Sequence, residues 1–172
     1  MGSVVYSAEQ VSVRVEALGR EITEAYPGNE PLLVLGLLKG SFLFLADLVR
    51  EIRTPLEVDF LVVSSYRDGT VSSGVVDISY DPATSLAGRN VLVVEDVIDS
   101  GTTLARLLPH LRARGPRSVE VCTLLHKRLP SAAVEPRWVG FDAPNSFLVG
   151  YGLDYAEAFR HLPYIASLDR AE

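Results

Sequence analysis

Apolar residues recur along this chain in two rhythms. Short, mostly apolar runs at residues 32–35, 57–63, 91–94 and 118–125 read as strands, with 91–94 buried on both faces. Between them, apolar positions return every three or four residues. Val11, Val15, Leu18 and Ile22 form one such face; Phe42, Leu45, Leu48 and Val49 a second; Leu104, Leu107, Leu108 and Leu111 a third. Ser7 to Gln10 has the form of a capping box, and Tyr26-Pro27-Gly28 stops the first helix. Pro109 falls inside the third helix, where it predicts a kink or an early end before Gly115-Pro116. Asp68-Gly69 and Ser72-Ser73-Gly74 are turn signals, so residues 64–74 read as a mobile flap and 75–79 as a strand returning from it.

Strands alternating with helices predict an α/β fold: an open, mainly parallel twisted sheet flanked by helices. After Lys127 the pattern breaks into short pieces rich in Pro, Gly and aromatics. Residues 130–168 therefore read as a small cap, or hood, over the carboxyl edge of the sheet, with the N-terminal segment a candidate addition. The chain has 172 residues, and no linker divides it, so 1–172 is read as one domain.

Composition narrows the picture in three places. A net charge of −6 argues against a broad grip on nucleic acid. The single cysteine, Cys122, excludes an internal disulfide framework, fits a reducing cytoplasm and reads as a buried strand residue. No apolar run approaches the length of a membrane span, and no secretion signal is visible, so no membrane partner is expected.

The chemistry concentrates after the strand at 91–94. Glu95 and Asp96 follow it directly, then Asp99, then the hydroxyl-and-glycine turn Ser100-Gly101-Thr102-Thr103, which opens a helix. Residues 95–103 thus read as the loop at the carboxyl end of a strand, where open α/β sheets bind ligands. Free N–H groups at the helix start suit a phosphate. Carboxylates beside a phosphate cradle need something hydroxylated or positive between them. A sugar diol can donate hydrogen bonds to Glu95 and Asp96, and a Mg²⁺ ion needs few direct protein ligands. Asp99 is then placed to take a proton. Glu95 and Asp96 also fit a solvated turn, and Asp99 a helix N-cap.

The stretch Val-Val-Glu-Asp-Val-Ile-Asp-Ser-Gly-Thr-Thr-Leu resembles the phosphoribosyl pyrophosphate (PRPP) motif of type I phosphoribosyltransferases. Three further segments resemble the hypoxanthine-guanine branch of that family. They are Leu38-Lys39-Gly40-Ser41, Ser64-Ser65-Tyr66, and Val149 to Tyr155 leading to Phe159-Arg160. The resemblance implies transfer of phosphoribose from PRPP to hypoxanthine or guanine, giving IMP or GMP and pyrophosphate, with Mg²⁺ as cofactor. It implies that Asp99 removes the purine N7 proton, and that Glu95 and Asp96 hold the ribose hydroxyls with metal nearby. Ser100, Gly101, Thr102 and Thr103 would hold the 5′-phosphate. Lys39, Gly40 and Arg160 would meet pyrophosphate, and Ser65 and Tyr66 would begin a closing flap. Lys127 would read the 6-oxygen, Phe147 stack on the base, Leu148 offer backbone contacts, and Asp154 ligate a second Mg²⁺. A homo-oligomer, dimer or tetramer, is implied as well.

Three alternatives share the fold: a xanthine-preferring transferase, a pyrimidine transferase, and an RNA-binding attenuator. The attenuator needs a basic surface and lacks the base-reading set Lys127 and Phe147 to Asp154. The neighbours His126 and Arg128 read as ordinary surface positions.

Overall fold

Helix α1 (Ala8–Ala25) begins at a reciprocal cap. The Gln10 amide donates to Ser7 Oγ at 3.2 Å, and the Ser7 amide to Gln10 Oε1 at 2.8 Å. Its four predicted core residues, Val11, Val15, Leu18 and Ile22, are all buried. The computed structural model describes residues 2–64, 77–130 and 133–168, so the flap expected at 64–74, with Ser65 and Tyr66, lies almost wholly outside the described residues.

Six strands form the larger sheet: β2 (Leu32–Leu38), β3 (Leu56–Ser64), β4 (Asp77–Tyr80), β5 (Asn90–Ile98), β6 (Ser118–His126) and β7 (Trp138–Asp142). Their order is β4-β3-β2-β5-β6-β7, parallel throughout except for the antiparallel edge strand β4. Alternation along the central strands feeds two cores. Leu32, Val34, Leu92 and Val94 pack on the side of α1 and α2 (Phe42–Glu51). Leu33, Leu35, Val91 and Val93 pack with Leu104, Leu107 and Leu111 of α3 (Thr102–Ala113). A sheet covered on both faces is what permits uninterrupted apolar strands. Cys122 is fully buried in β6, as expected.

Three local expectations are corrected. In α2 the buried stripe is Phe44, Leu45 and Leu48, while Phe42 is 40% exposed. Phe42 is the first residue of the helix, at the ligand edge of the sheet. Pro109 neither ends nor shortens α3, which runs four residues further. Residues 138–142, expected in the hood, form β7 of the main sheet, because β6 offers them a free edge.

The hood itself is built on a second, three-stranded sheet: β1 (Val4–Tyr6), β9 (Ile165–Ser167) and β8 (Leu148–Val149). The N-terminal segment joins it through β1, which pairs with β9. In the main sheet the chain leaves β2 for β3 on one side and returns at β5 on the other. Successive connections therefore part between the carboxyl ends of β2 and β5, which opens a crevice there.

Candidate functional site

That crevice receives residues 38–41 from β2 and the acidic segment from β5. Strand β5 runs on through Glu95 and Asp96 to Ile98, so the two acids sit in the strand rather than in a loop beyond it. The reason is that β6 continues alongside: Glu95 pairs with Thr123, Val97 with Leu125, and Ile98 with His126. Strand geometry starts Glu95 and Asp96 towards opposite faces, although the Glu95 carboxylate turns back to accept from the Asp96 amide at 3.3 Å. Glu95 lines a recess of about 190 Å³ together with Ser100, Gly101, Thr102 and Thr103. Asp96 lines a larger cleft of about 750 Å³ with Lys127, Phe147, Leu148 and Asp154. Asp99 borders both hollows.

The recess has the character of an anion cradle. Gly101 caps α3 with a left-handed backbone, φ 72°, and a Cβ there would come within 3.2 Å of the Val134 amide. Asp99 is therefore not the N-cap, contrary to one of its readings. Ser100 Oγ lies 2.9 Å from Thr102 Oγ1, so two hydroxyls converge at the start of the helix. Burial, and then the neighbouring Asp96 carboxylate, push the Glu95 carboxyl well above the usual range.

Backbones pack unusually close on the β2 side. The Leu38–Lys39 peptide is cis. A Cβ on Gly40 would lie 1.7 Å from Asp96 Oδ2, so any larger residue here would force the Asp96 carboxylate to turn aside. Lys39 Nζ pairs with Glu157 Oε1 at 3.1 Å. Arg160 donates to the Gly152 carbonyl at 2.8 Å and pairs with Asp154 at 3.0 Å and Glu157 at 3.3 Å. The Glu157 amide in turn donates to Asp154 Oδ2 at 2.8 Å. Lys39 and Arg160 together hold the Glu157 carboxyl below its ordinary range.

In the larger cleft, Lys127 Nζ bonds Asp99 Oδ2 at 2.9 Å. Phe147 meets Tyr155 edge-on, ring centroids 5.5 Å apart. Leu148 lies in β8, paired with Ser167. The structure thus brings together the candidates among the described residues; Ser65 and Tyr66 lie outside them.

Sequence reasoning gave Glu157 no role and Tyr155 none beyond its place at the end of a motif segment; both enter because the chain folds back at Ala156 and Glu157, both with positive φ. His126 is corrected: it is 1% exposed, not a surface residue, and neither ring nitrogen has a partner among the described residues. A histidine at the end of an apolar strand could have signalled burial, since β7 flanks it as Asp142 pairs with it. Arg128 is exposed, paired with Asp142 and Glu135 at 2.7 Å.

Among the described residues, no helix is long and apolar enough to cross a membrane. Residues 4–156 match the family model of the phosphoribosyl transferase domain. The hypoxanthine-guanine phosphoribosyltransferase of Mycobacterium avium is 49% identical over 173 residues, spanning 97% of this chain and 85% of that one. Its counterpart from Bacillus subtilis is 48% identical over 171 residues, spanning 98% and 93%. A crystal structure of a hypoxanthine-guanine phosphoribosyltransferase from Bacillus anthracis, with HEPES in its active site, superposes with a TM-score of 0.91. It is 40% identical and covers 98% of this chain and 99% of its own. On the strength of its motifs, its fold and these matches, the chain belongs to the phosphoribosyltransferase family, in its hypoxanthine-guanine branch.

Proposed function

We propose that this chain transfers the phosphoribosyl group of PRPP to N9 of a 6-oxopurine, hypoxanthine or guanine. The products are IMP or GMP and pyrophosphate. The observation that carries this reading is the shared wall: a phosphate-sized recess and a base-sized cleft meet at Asp99. A phosphate in the recess and a purine in the cleft leave a pentose between them, beside Glu95 and Asp96.

The residues divide the work. Ser100, Gly101, Thr102 and Thr103 hold the 5′-phosphate through hydroxyls and the helix N-terminus. Glu95 and Asp96 accept hydrogen bonds from the ribose hydroxyls. Lys39, the Gly40 backbone and Arg160 meet the pyrophosphate. In the cleft, Phe147 stacks on the base, Leu148 offers its backbone and Lys127 donates to the 6-oxygen. As N9 attacks C1′, the bond from C1′ to the pyrophosphate oxygen breaks, and the N7 proton passes to Asp99. The sugar carries positive charge at that moment, so holding the reactants together and excluding water both matter.

Mg²⁺ belongs to the same proposal. Among the described residues no three ligating side chains converge. That fits an ion held mainly by substrate oxygens and water, with one or two carboxylates in support. Glu95 with Asp96, and Asp154, are the groups that would hold it. When bound, it would neutralise pyrophosphate as the leaving group.

Partners are small molecules, and a cytoplasmic site of action fits the single buried thiol of Cys122. A dimer or tetramer is also proposed. Val58, Phe60 and Tyr80, at 41%, 38% and 49% exposure near the sheet edge, support it, and light scattering on purified protein tests it. Steady-state assays with PRPP and hypoxanthine, guanine, xanthine, adenine or uracil test the activity. Turnover of hypoxanthine or guanine is expected; activity with uracil alone overturns the reading.

A further inference from the structure

We propose that Tyr151 and Asp47, neither of which lines the recess or the cleft, form a strut that sets the base-binding hood at a fixed distance from the pyrophosphate loop. The inference rests on the reading above and adds a positioning role to it. Tyr151 Oη donates to Asp47 Oδ2 at 2.6 Å across 104 residues of chain. Asp47 lies on α2, whose first residue follows Lys39-Gly40-Ser41 directly. Its other oxygen is engaged by Arg50, which fixes the carboxylate. Tyr151 lies four residues after Phe147 and three before Asp154. The strut therefore ties the helix that carries one subsite to the turn that carries the other.

Three features show that the turn is built for this contact. Tyr151 has φ 48° between two glycines with φ 96° and 98°, so the backbone departs from ordinary geometry to place the phenol. The ring is only 7% exposed. Burial, followed by the bond to Asp47, pushes its hydroxyl far above the usual range, so it stays a donor. A Cβ on Gly152 would come within 2.1 Å of the Gly40 carbonyl oxygen. Hood and loop thus meet backbone to backbone one residue from the strut, and a small tilt of either displaces the other.

Reactants held in two intact but misaligned subsites bind well and react slowly. Tyr151→Phe keeps the ring and removes only the hydroxyl. It is expected to lower kcat about tenfold while KM for PRPP and for hypoxanthine each stay within about twofold. Asp47→Ala should match it, the double variant should be no worse than either single one, and Asp47→Asn, whose amide oxygen still accepts, should restore most of the rate. Amide exchange at Gly152 and Phe42, hydrogen-bonded to Arg160 and Lys39, should quicken in Tyr151→Phe. An active wild type with unchanged kcat and unchanged exchange in Tyr151→Phe overturns the strut. A loss that follows melting temperature alone, without rescue by Asp47→Asn, does the same. A wild type inactive on every purine would instead strike the proposed activity, and the exchange measurement would still decide the strut.

Discussion

Lys127 Nζ and Asp99 Oδ2 stand 2.9 Å apart, one residue beyond the paired ends of β6 and β5. The Lys127 amide also donates to the Ile98 carbonyl at 3.0 Å, which locks the two strand ends in register. A 6-oxopurine carries an acceptor, O6, next to N7, which bears a donor in one tautomer. A cation beside a carboxylate matches that edge: the lysine can donate to O6 while the aspartate accepts from N7. Adenine presents an amino group where the lysine needs an acceptor. The pair is self-neutralised without ligand, and a purine exchanges one internal bond for two external ones.

If Asp99 takes the N7 proton, Asp99→Asn should keep the shape of the cleft and lose the base. We expect kcat to fall about 10²- to 10⁴-fold, with GMP affinity changed by less than about threefold. Single-turnover rates and equilibrium titration measure the two quantities separately. Wild-type turnover in this variant would remove Asp99 from the chemistry.

Lys127→Met keeps much of the buried stem and removes the donor. Selectivity should suffer more than folding, because the lysine side chain is 14% exposed and its head is directed to Asp99. We expect kcat/KM for hypoxanthine to drop about 100-fold and the margin over adenine to narrow. Competition assays with the two bases give that ratio directly. An unaltered ratio would place base discrimination elsewhere in the hood.

Much of this site was legible in the sequence because its residues cluster locally. Residues 95–103 lie in one continuous segment, and Lys127 follows an apolar strand that could only end at the ligand edge. The division of Glu95 and Asp96 between two hollows was not legible, since it depends on β5 continuing as a strand beside β6. Placing β7 in the hood failed for the same reason: its strand is short, and its partner lies twelve residues back across a turn. Glu157 and the Tyr151–Asp47 bond are tertiary contacts spanning more than 100 residues, and no local pattern encodes them.

Gly40→Ala tests the close approach of loop and acidic strand. The added methyl would meet Asp96 Oδ2 at 1.7 Å and Cγ at 2.6 Å. The carboxylate would have to turn away and give up the bond it accepts from the Val97 amide at 2.9 Å. The strain falls on the site rather than on the core. PRPP-dependent activity should fall by more than about tenfold, while melting drops by about 5 °C or less. Activity near that of the wild type would mean that the loop does not approach Asp96 in the working enzyme.

The two acids of β5 also give the ligand-free, metal-free protein a pH dependence of unusual sign. Burial, with Asp96 adding to it, raises Glu95 in the folded state. The native state therefore binds more proton than the unfolded chain across a window that starts at the ordinary carboxylate pKa and extends upward. Stability contributed by the protonated form is present below that window and is lost as pH rises through it. Glu95→Gln retains the neutral, hydrogen-bonding form at every pH. It should melt higher than wild type at neutral pH, with the difference shrinking towards pH 4. Thermal denaturation across pH, in the presence of a chelator, reads this out. A variant less stable than wild type at neutral pH would mean that the Glu95 charge is compensated in the folded protein.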